Sequence, residues 1–201
     1  VRMYSQPHPW VSASRWIYAN IPARSLILNE KWDDSLPSTM QVDGKLRKRT
    51  EYSREQLTWL SGTGGRDDES KLEHNLGLLA RADYLVLTSN RVYGVVARLP
   101  ERYPISSQYH QMLFDGRLGY EPVFVVGRTP NLLGFHLKPD NFGWPGLNPP
   151  PEVQAYLDAQ PGINWGRFDE SFTVYDQPLT IIFQNVGRMS AEAMKRQFML
   201  E

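Results

Sequence analysis

Two apolar runs with a helical segment between them constrain the fold of this chain more than any other feature. The runs extend from Tyr84 to Thr88 and from Val123 to Val126, and the segment with helical periodicity extends from Ser107 to Asp115. Neither run alternates with polar residues, which is typical of strands that are covered on both faces. The sequence therefore predicts a parallel strand–helix–strand unit.

A third apolar run and two further helical segments extend this unit into a layered fold. The run from Leu26 to Leu28 predicts another parallel neighbour in the same sheet. Helical periodicity predicts helices from Val11 to Asn20 and from Glu69 to Arg81, the latter with Asp67 and Asp68 available as caps. We predict an α/β fold of three layers, with a mainly parallel central sheet and flanking helices.

The C-terminal part of the chain predicts an antiparallel strand pair. Ser171 to Tyr175 and Leu179 to Gln184 are rich in β-branched and aromatic residues, and the short connection between them contains Pro178. We expect Ile181 to Phe183 to join the central sheet as an antiparallel member, because the short connection reverses the chain.

Local signals predict the remaining segments. Asp43 and Gly44 predict a hairpin turn, and the glycine-rich stretch from Ser61 to Gly65 predicts a flexible loop. The proline-rich stretch from Pro130 to Pro151 predicts an irregular surface connection. The other expectations are a helix cap at Ser106 or Ser107, a C-terminal helix stop at Gly116, a short helix from Glu152 to Ala159 and a closing helix from Ser190 to Leu200.

Composition narrows the class of protein. A chain of 201 residues suits one domain that spans residues 1–201. Its 22 basic and 22 acidic residues give a formal net charge of zero, so we expect no nucleic-acid partner. The absence of cysteine excludes disulfides, thiolate nucleophiles and Cys-ligated metals.

No apolar run approaches the ~18 residues that a membrane-spanning helix needs, so we expect the chain as given to be soluble. Its start at Val1 rather than Met predicts a piece of a longer protein or a processed chain.

Polar side chains follow the predicted parallel strands at their carboxyl ends, where ligands bind in open parallel sheets. The candidate ligand-binding residues are Glu30, Asp33, Asp34, Asn90, Arg91, Arg128 and Thr129, with Trp32 or Tyr93 supplying an apolar face. This mixture of carboxylates and guanidinium groups suits a sugar held through its hydroxyls. The competing interpretation, which we favour, is a structural ion network in which Arg91 and Arg128 pair with the acids.

Motifs for catalysis or metal binding are missing from the sequence. Asp33 and Asp34 are adjacent, and adjacent side chains on an extended chain point in opposite directions, which argues against a shared divalent cation. The four histidines are isolated from one another, and no serine stands in a nucleophile-elbow sequence. We therefore predict no catalytic residue, no metal and no cofactor in this chain.

Several stretches, in their order and spacing, resemble a known family. They read YSQPHPW at residues 4–10, SRWIY at 14–18, EKWDDSLP at 30–37, ADYLVLTSNR at 82–91, RLPERYP at 98–104 and FDESFTVYD at 168–176. Together they resemble the soluble tail of large bacterial multi-pass membrane glycosyltransferases of the protein O-mannosyltransferase type. The likeness covers most of Tyr4 to Phe183.

This resemblance implies a transferase that takes its sugar from a polyprenyl-phosphate donor, with its catalytic acid in a membrane portion that this chain lacks. No catalytic residue of the family therefore maps onto this chain. The implied location is the extracytoplasmic face of the cell membrane, to which the domain is tethered. The implied partners are the transmembrane catalytic portion of the same polypeptide and a glycan or acceptor protein.

Two other classes of function remain open. One is a free-standing carbohydrate-binding or protein-interaction module, and the other is a small soluble transferase that uses a nucleotide-sugar at the strand ends. Membrane-spanning segments encoded directly upstream of Val1 would favour the membrane glycosyltransferase over both.

Overall fold

The computed structural model describes residues 2–59, 67–143 and 146–199. The helices are α1 (Pro9–Asn20), α2 (Glu69–Arg81), α3 (Tyr93–Val96), α4 (Pro104–Phe114), α5 (Pro151–Asp158) and α6 (Ala191–Met199). The strands are β1 (Leu26–Glu30), β2 (Met40–Val42), β3 (Lys45–Arg47), β4 (Ser53–Leu57), β5 (Tyr84–Leu87), β6 (Tyr120–Val126), β7 (Asn131–Leu132), β8 (Phe135–Pro139), β9 (Gly162–Gly166) and β10 (Thr180–Asn185). A π-helical turn spans Ser171–Asp176.

A five-stranded, mainly parallel sheet with the order β4-β1-β5-β10-β6 lies at the centre of the fold. β1 is parallel to β4 and β5, whereas β10 is antiparallel to both β5 and β6. The predicted α/β fold, with its three apolar runs in one sheet and Ile181–Phe183 as an antiparallel member, is confirmed.

The expectation that β5 and β6 are direct neighbours is wrong, because β10 lies between them. Five of the six residues of β10 are buried, so this strand requires a partner on each side and a covering layer on each face. β6 still runs in the same direction as β5, because both are antiparallel to β10.

Helices cover both faces of the sheet and complete the three layers. On one face α1 packs against β1 and β10 through Ile17, Ile27 and Ile182. On the other face a larger core includes Leu76 of α2 and Met112 of α4. Alternate residues of β1 belong to the two cores, which is the pattern of a strand buried on both sides.

The predicted strand from Ser171 to Tyr175 is wrong, because this segment forms the π-helical turn. Asp169 starts the turn: its carboxylate accepts from the Ser171 backbone N–H at 2.9 Å, and its carbonyl accepts from the Phe172 backbone N–H at 3.1 Å. These local bonds outweigh the strand propensity of the aromatic and β-branched side chains. β10 therefore takes its antiparallel partners from β5 and β6 instead.

A second, three-stranded sheet replaces the irregular connection expected from Pro130 to Pro151. β7 and β8 form a hairpin whose turn has positive φ at Leu133 (52°) and Gly134 (87°). β8 then pairs in parallel with β9, which lies more than 20 residues further along the chain. Local proline and glycine signals do not reveal a partner so distant in sequence.

Most of the local predictions agree with the structure. The β2–β3 hairpin turns at Asp43 (φ 50°) and Gly44 (φ 75°), as predicted. α2 has the predicted bounds, and the Asp68 side chain caps it by accepting from the Lys71 backbone N–H. The predicted loop from Ser61 to Gly65 lies outside the described residues.

The predicted cap of α4 is wrong. The helix begins earlier than expected, at Pro104, and the Ser106 hydroxyl donates to Asp67 instead. Proline suits this first helical position because its missing N–H would have no partner within the helix. Gly116 follows the helix with φ 79°, as expected of a C-terminal stop.

Candidate functional site

The carboxyl ends of β1 and β5 bring several of the predicted site residues together. The two strands are parallel neighbours, with Asn29 opposite Val86, so the segments that follow them lie side by side. Trp32 has a φ of 86°, in the left-handed region. This turn places Asp33 against Ser89 at the end of β5.

Asp33 is buried within this edge, and its side chain is only 3% exposed. The Ser89 hydroxyl donates to the carboxylate, with Oγ 2.8 Å from Oδ2 and 3.0 Å from Oδ1. Burial raises the pKa of Asp33 above its usual value; the negative charge of Glu30 acts in the same direction, and Ser89 and Arg91 act against it. Asp33 is therefore a carboxylate that the fold holds away from solvent.

Arg91 connects three segments at this edge. Its Nη1 donates to the Trp32 carbonyl at 2.6 Å, and its Nη2 donates to the Tyr175 hydroxyl. Its Nε lies 3.9 Å from Asp33 Oδ1 and 3.5 Å from Glu170 Oε1. The guanidinium thus links the segment after β1, the segment after β5 and the π-helical turn.

Glu30 and His110 form a buried pair that joins the end of β1 to α4. His110 Nε2 lies 2.7 Å from Glu30 Oε1, and its Nδ1 lies 2.7 Å from the Ser106 carbonyl oxygen. Because a carbonyl can only accept, Nδ1 carries a proton and donates to Ser106. The side chains of both residues are at most 3% exposed.

The other predicted residues of the edge differ in exposure. Trp32 is 60% exposed beside the Arg91 contact and is available as an apolar face. Asp34 is exposed and Asn90 is half-buried. Tyr93 is fully buried, because it begins α3 and packs against Phe114 and Phe142, so it offers no face to a ligand at this edge.

Arg128 and Thr129 lie apart from the Arg91 network. They follow β6, and β10 separates that strand from β5, so the two strand ends are about 10 Å apart at the usual strand spacing. Arg128 and Thr129 line a separate cleft of about 320 Å³ with Gln6, Asn131, His136 and Gln160. The ion pairs of the Arg91 edge therefore do not extend to Arg128 within the described residues.

Neither a metal-ligand cluster nor a membrane span is present in the part of the chain that the structure describes. No three His, Cys, Asp or Glu side chains gather there as a metal site requires. None of the described helices is long and apolar enough to cross a bilayer.

Comparisons with protein-family models, with curated proteins and with solved structures find no match for this chain.

Four residues that complete the edge were not among the predicted site residues: Ser89, His110, Glu170 and Tyr175. Ser89 is the second residue after β5, so its position just beyond a buried strand was an available signal. His110 and Tyr175 reach the edge only through tertiary packing of α4 and the π-helical turn. Their sequence neighbourhoods contain no motif that indicates this role.

Proposed function

We propose that this chain is the non-catalytic extracytoplasmic domain of a membrane glycosyltransferase that takes its sugar from a polyprenyl-phosphate donor. In this proposal the transmembrane portion of the same polypeptide carries the catalytic acid. The domain assists that portion in binding a glycan or an acceptor protein. The family resemblance between residues 4 and 183 suggests this class of enzyme.

The observation that supports the non-catalytic assignment is that the acids at the ends of the strands are bonded to groups of the protein itself. Glu30 is bonded to His110, and Asp33 is bonded to Ser89 and lies near Arg91. The two acidic side chains are each 3% exposed. A general acid or base must come within hydrogen-bonding distance of the substrate. The carboxylates of Glu30 and Asp33 instead contact side chains of the protein and stabilise the fold.

A transfer assay on the isolated chain tests this proposal. The chain is incubated with a polyprenyl-phosphate sugar and an acceptor peptide, and in a second arm with nucleotide-sugars and Mn²⁺. We expect no transfer in either arm, because the donor cavity and the catalytic acid belong to the membrane portion. Transfer that is lost in Asp33→Asn or Asp34→Asn would show instead that the edge is an active site.

A further inference from the structure

A polar cleft at the end of β6 has the lining of a ligand site. We call it the Arg128 cleft, and its polar lining includes Gln6, Arg128, Thr129, Asn131, His136 and Gln160. Its volume of about 320 Å³ falls at the lower end of the range for pockets that hold small ligands. It lies at the carboxyl end of a strand of the central sheet, where α/β folds usually bind their ligands.

The guanidinium of Arg128 has few partners of its own. Its Nε is buried and has no hydrogen-bond partner among the described residues. Its two other nitrogens reach only the carbonyls of Gly127 and Pro7, each at 3.5 Å, the outer limit for such a bond. Because these two terminal nitrogens are only weakly engaged, they are suited to a shorter bond with an acceptor supplied by a ligand.

The walls of the cleft are held in place by their own hydrogen bonds. The Tyr156 hydroxyl donates to the Gly127 carbonyl at 2.9 Å and accepts from the Gly127 backbone N–H at 3.0 Å. Thr129 Oγ1 lies 2.7 Å from His136 Nδ1, which joins the end of β6 to β8. The cleft is thus formed before any ligand arrives, which lowers the entropic cost of binding.

The chemistry of the lining specifies the ligand. The described residues that line the cleft include one guanidinium and no carboxylate. The side-chain amides of Gln6, Asn131 and Gln160 provide both donors and acceptors, as the hydroxyls of a sugar require. A single guanidinium balances a carboxylate of charge −1, whereas a phosphate monoester carries about −1.5 to −2 at pH 7.

We infer that the Arg128 cleft binds an acidic saccharide, with Arg128 on the sugar carboxylate and the amide side chains on its hydroxyls. This inference goes beyond the proposed function, which depends on the acids at the ends of β1 and β5. Binding to the cleft does not require sugar transfer. Failure of one proposal is therefore distinguishable from failure of the other.

Calorimetric titration of the isolated chain with D-glucuronate, D-glucose and glucose 1-phosphate tests the inference. We expect glucuronate to bind about tenfold more tightly than glucose, because only the acid pairs with Arg128. Glucose 1-phosphate should bind more weakly than glucuronate. Arg128→Gln should reduce glucuronate affinity to the level of glucose, and Arg128→Lys should give an intermediate affinity because an ammonium lacks the planar fork.

Arg167→Gln is the matched control, because Arg167 is an exposed arginine outside the Arg128 cleft, and it should bind glucuronate like the parent. An unchanged thermal midpoint in each variant shows that the fold is retained. Equal affinities for glucuronate and glucose, unchanged binding by Arg128→Gln, or no binding at about 10 mM glucuronate would each overturn the inference. Tighter binding of glucose 1-phosphate would overturn the carboxylate assignment.

Discussion

The Arg91 guanidinium contacts groups that are far apart in the sequence: the Trp32 carbonyl, the Tyr175 hydroxyl and the carboxylates of Asp33 and Glu170. The Arg91 side chain as a whole is only 24% exposed. Removal of the side chain takes away the positive charge nearest to the buried Asp33 carboxylate.

Arg91→Ala should lower the free energy of unfolding by on the order of 3 kcal/mol, because it leaves a buried carboxylate without its cationic neighbour. Urea unfolding of the variant beside the parent measures this loss. Arg167→Ala is the control, since substitution of an exposed arginine should change the free energy by less than about 0.5 kcal/mol. An unchanged midpoint for Arg91→Ala would make Arg91 a ligand-facing residue.

The burial of Asp33 leads us to expect that the stability of the fold depends on pH. Because burial raises its pKa in the folded protein, the folded chain holds the Asp33 proton to higher pH than the unfolded chain. The contribution of Asp33 to stability therefore falls as pH rises from the ordinary carboxyl value of 3.8 through the higher folded pKa. Asp33→Asn lacks this titration, so the parent should lose stability relative to the variant across that interval.

The measurement is urea unfolding of parent and Asp33→Asn at a series of pH values. Asp34 is the exposed neighbour of Asp33, so Asp34→Asn is the control. Its stability should vary across the pH series as that of the parent does. A difference between parent and Asp33→Asn that stays constant, or that moves in favour of the parent as pH rises, would contradict the expected burial.

At the scale of elements, the Glu30–His110 pair joins β1, a strand of the central sheet, to α4 in the interior. Replacement of one partner leaves the other buried without its bond, at an expected cost of about 3–5 kcal/mol. Replacement of both partners by apolar side chains of similar size leaves no buried polar group without a bond. Glu30→Met with His110→Leu should therefore be less destabilised than the sum of the single variants, by more than about 1 kcal/mol.

A double-mutant cycle by urea unfolding gives this coupling energy. The partly exposed pair Arg47–Glu51, at i,i+4 spacing, is the matched control, with an expected coupling of about 0.5 kcal/mol or less. Additive single effects for Glu30 and His110 would show that the two elements are not joined through this pair.

The elements that the sequence predicted best are those with a local signal. The bounds of α2 follow from its apolar stripe and from Asp68, which caps it by a bond within the same turn. The β2–β3 hairpin likewise follows from Asp43 and Gly44, whose positive φ values belong to the turn itself. By contrast, the strand assigned to Ser171–Tyr175 failed because bonds from Asp169, outside the segment, start a helical turn.

At the scale of the whole molecule, the sequence predicted one sheet with all of the candidate side chains along one edge, but the order of the strands divides that edge. β10 comes from the C-terminal part of the chain and inserts between β5 and β6, so Arg128 is carried away from Asp33 and Arg91. β4 was missed because only Leu57 of its five residues is fully buried, as befits an edge strand. Long-range pairing of this kind leaves no local pattern.

We propose that this chain is one domain of a larger membrane glycosyltransferase, and the size and location of the native protein test that proposal. Antibodies raised against the 201-residue chain are used to probe membrane and aqueous fractions of the source cells. We predict a band much larger than the 201-residue chain, in the membrane fraction and released only by detergent. A band of the size of the 201-residue chain in the aqueous fraction would show that the chain is not part of a membrane protein.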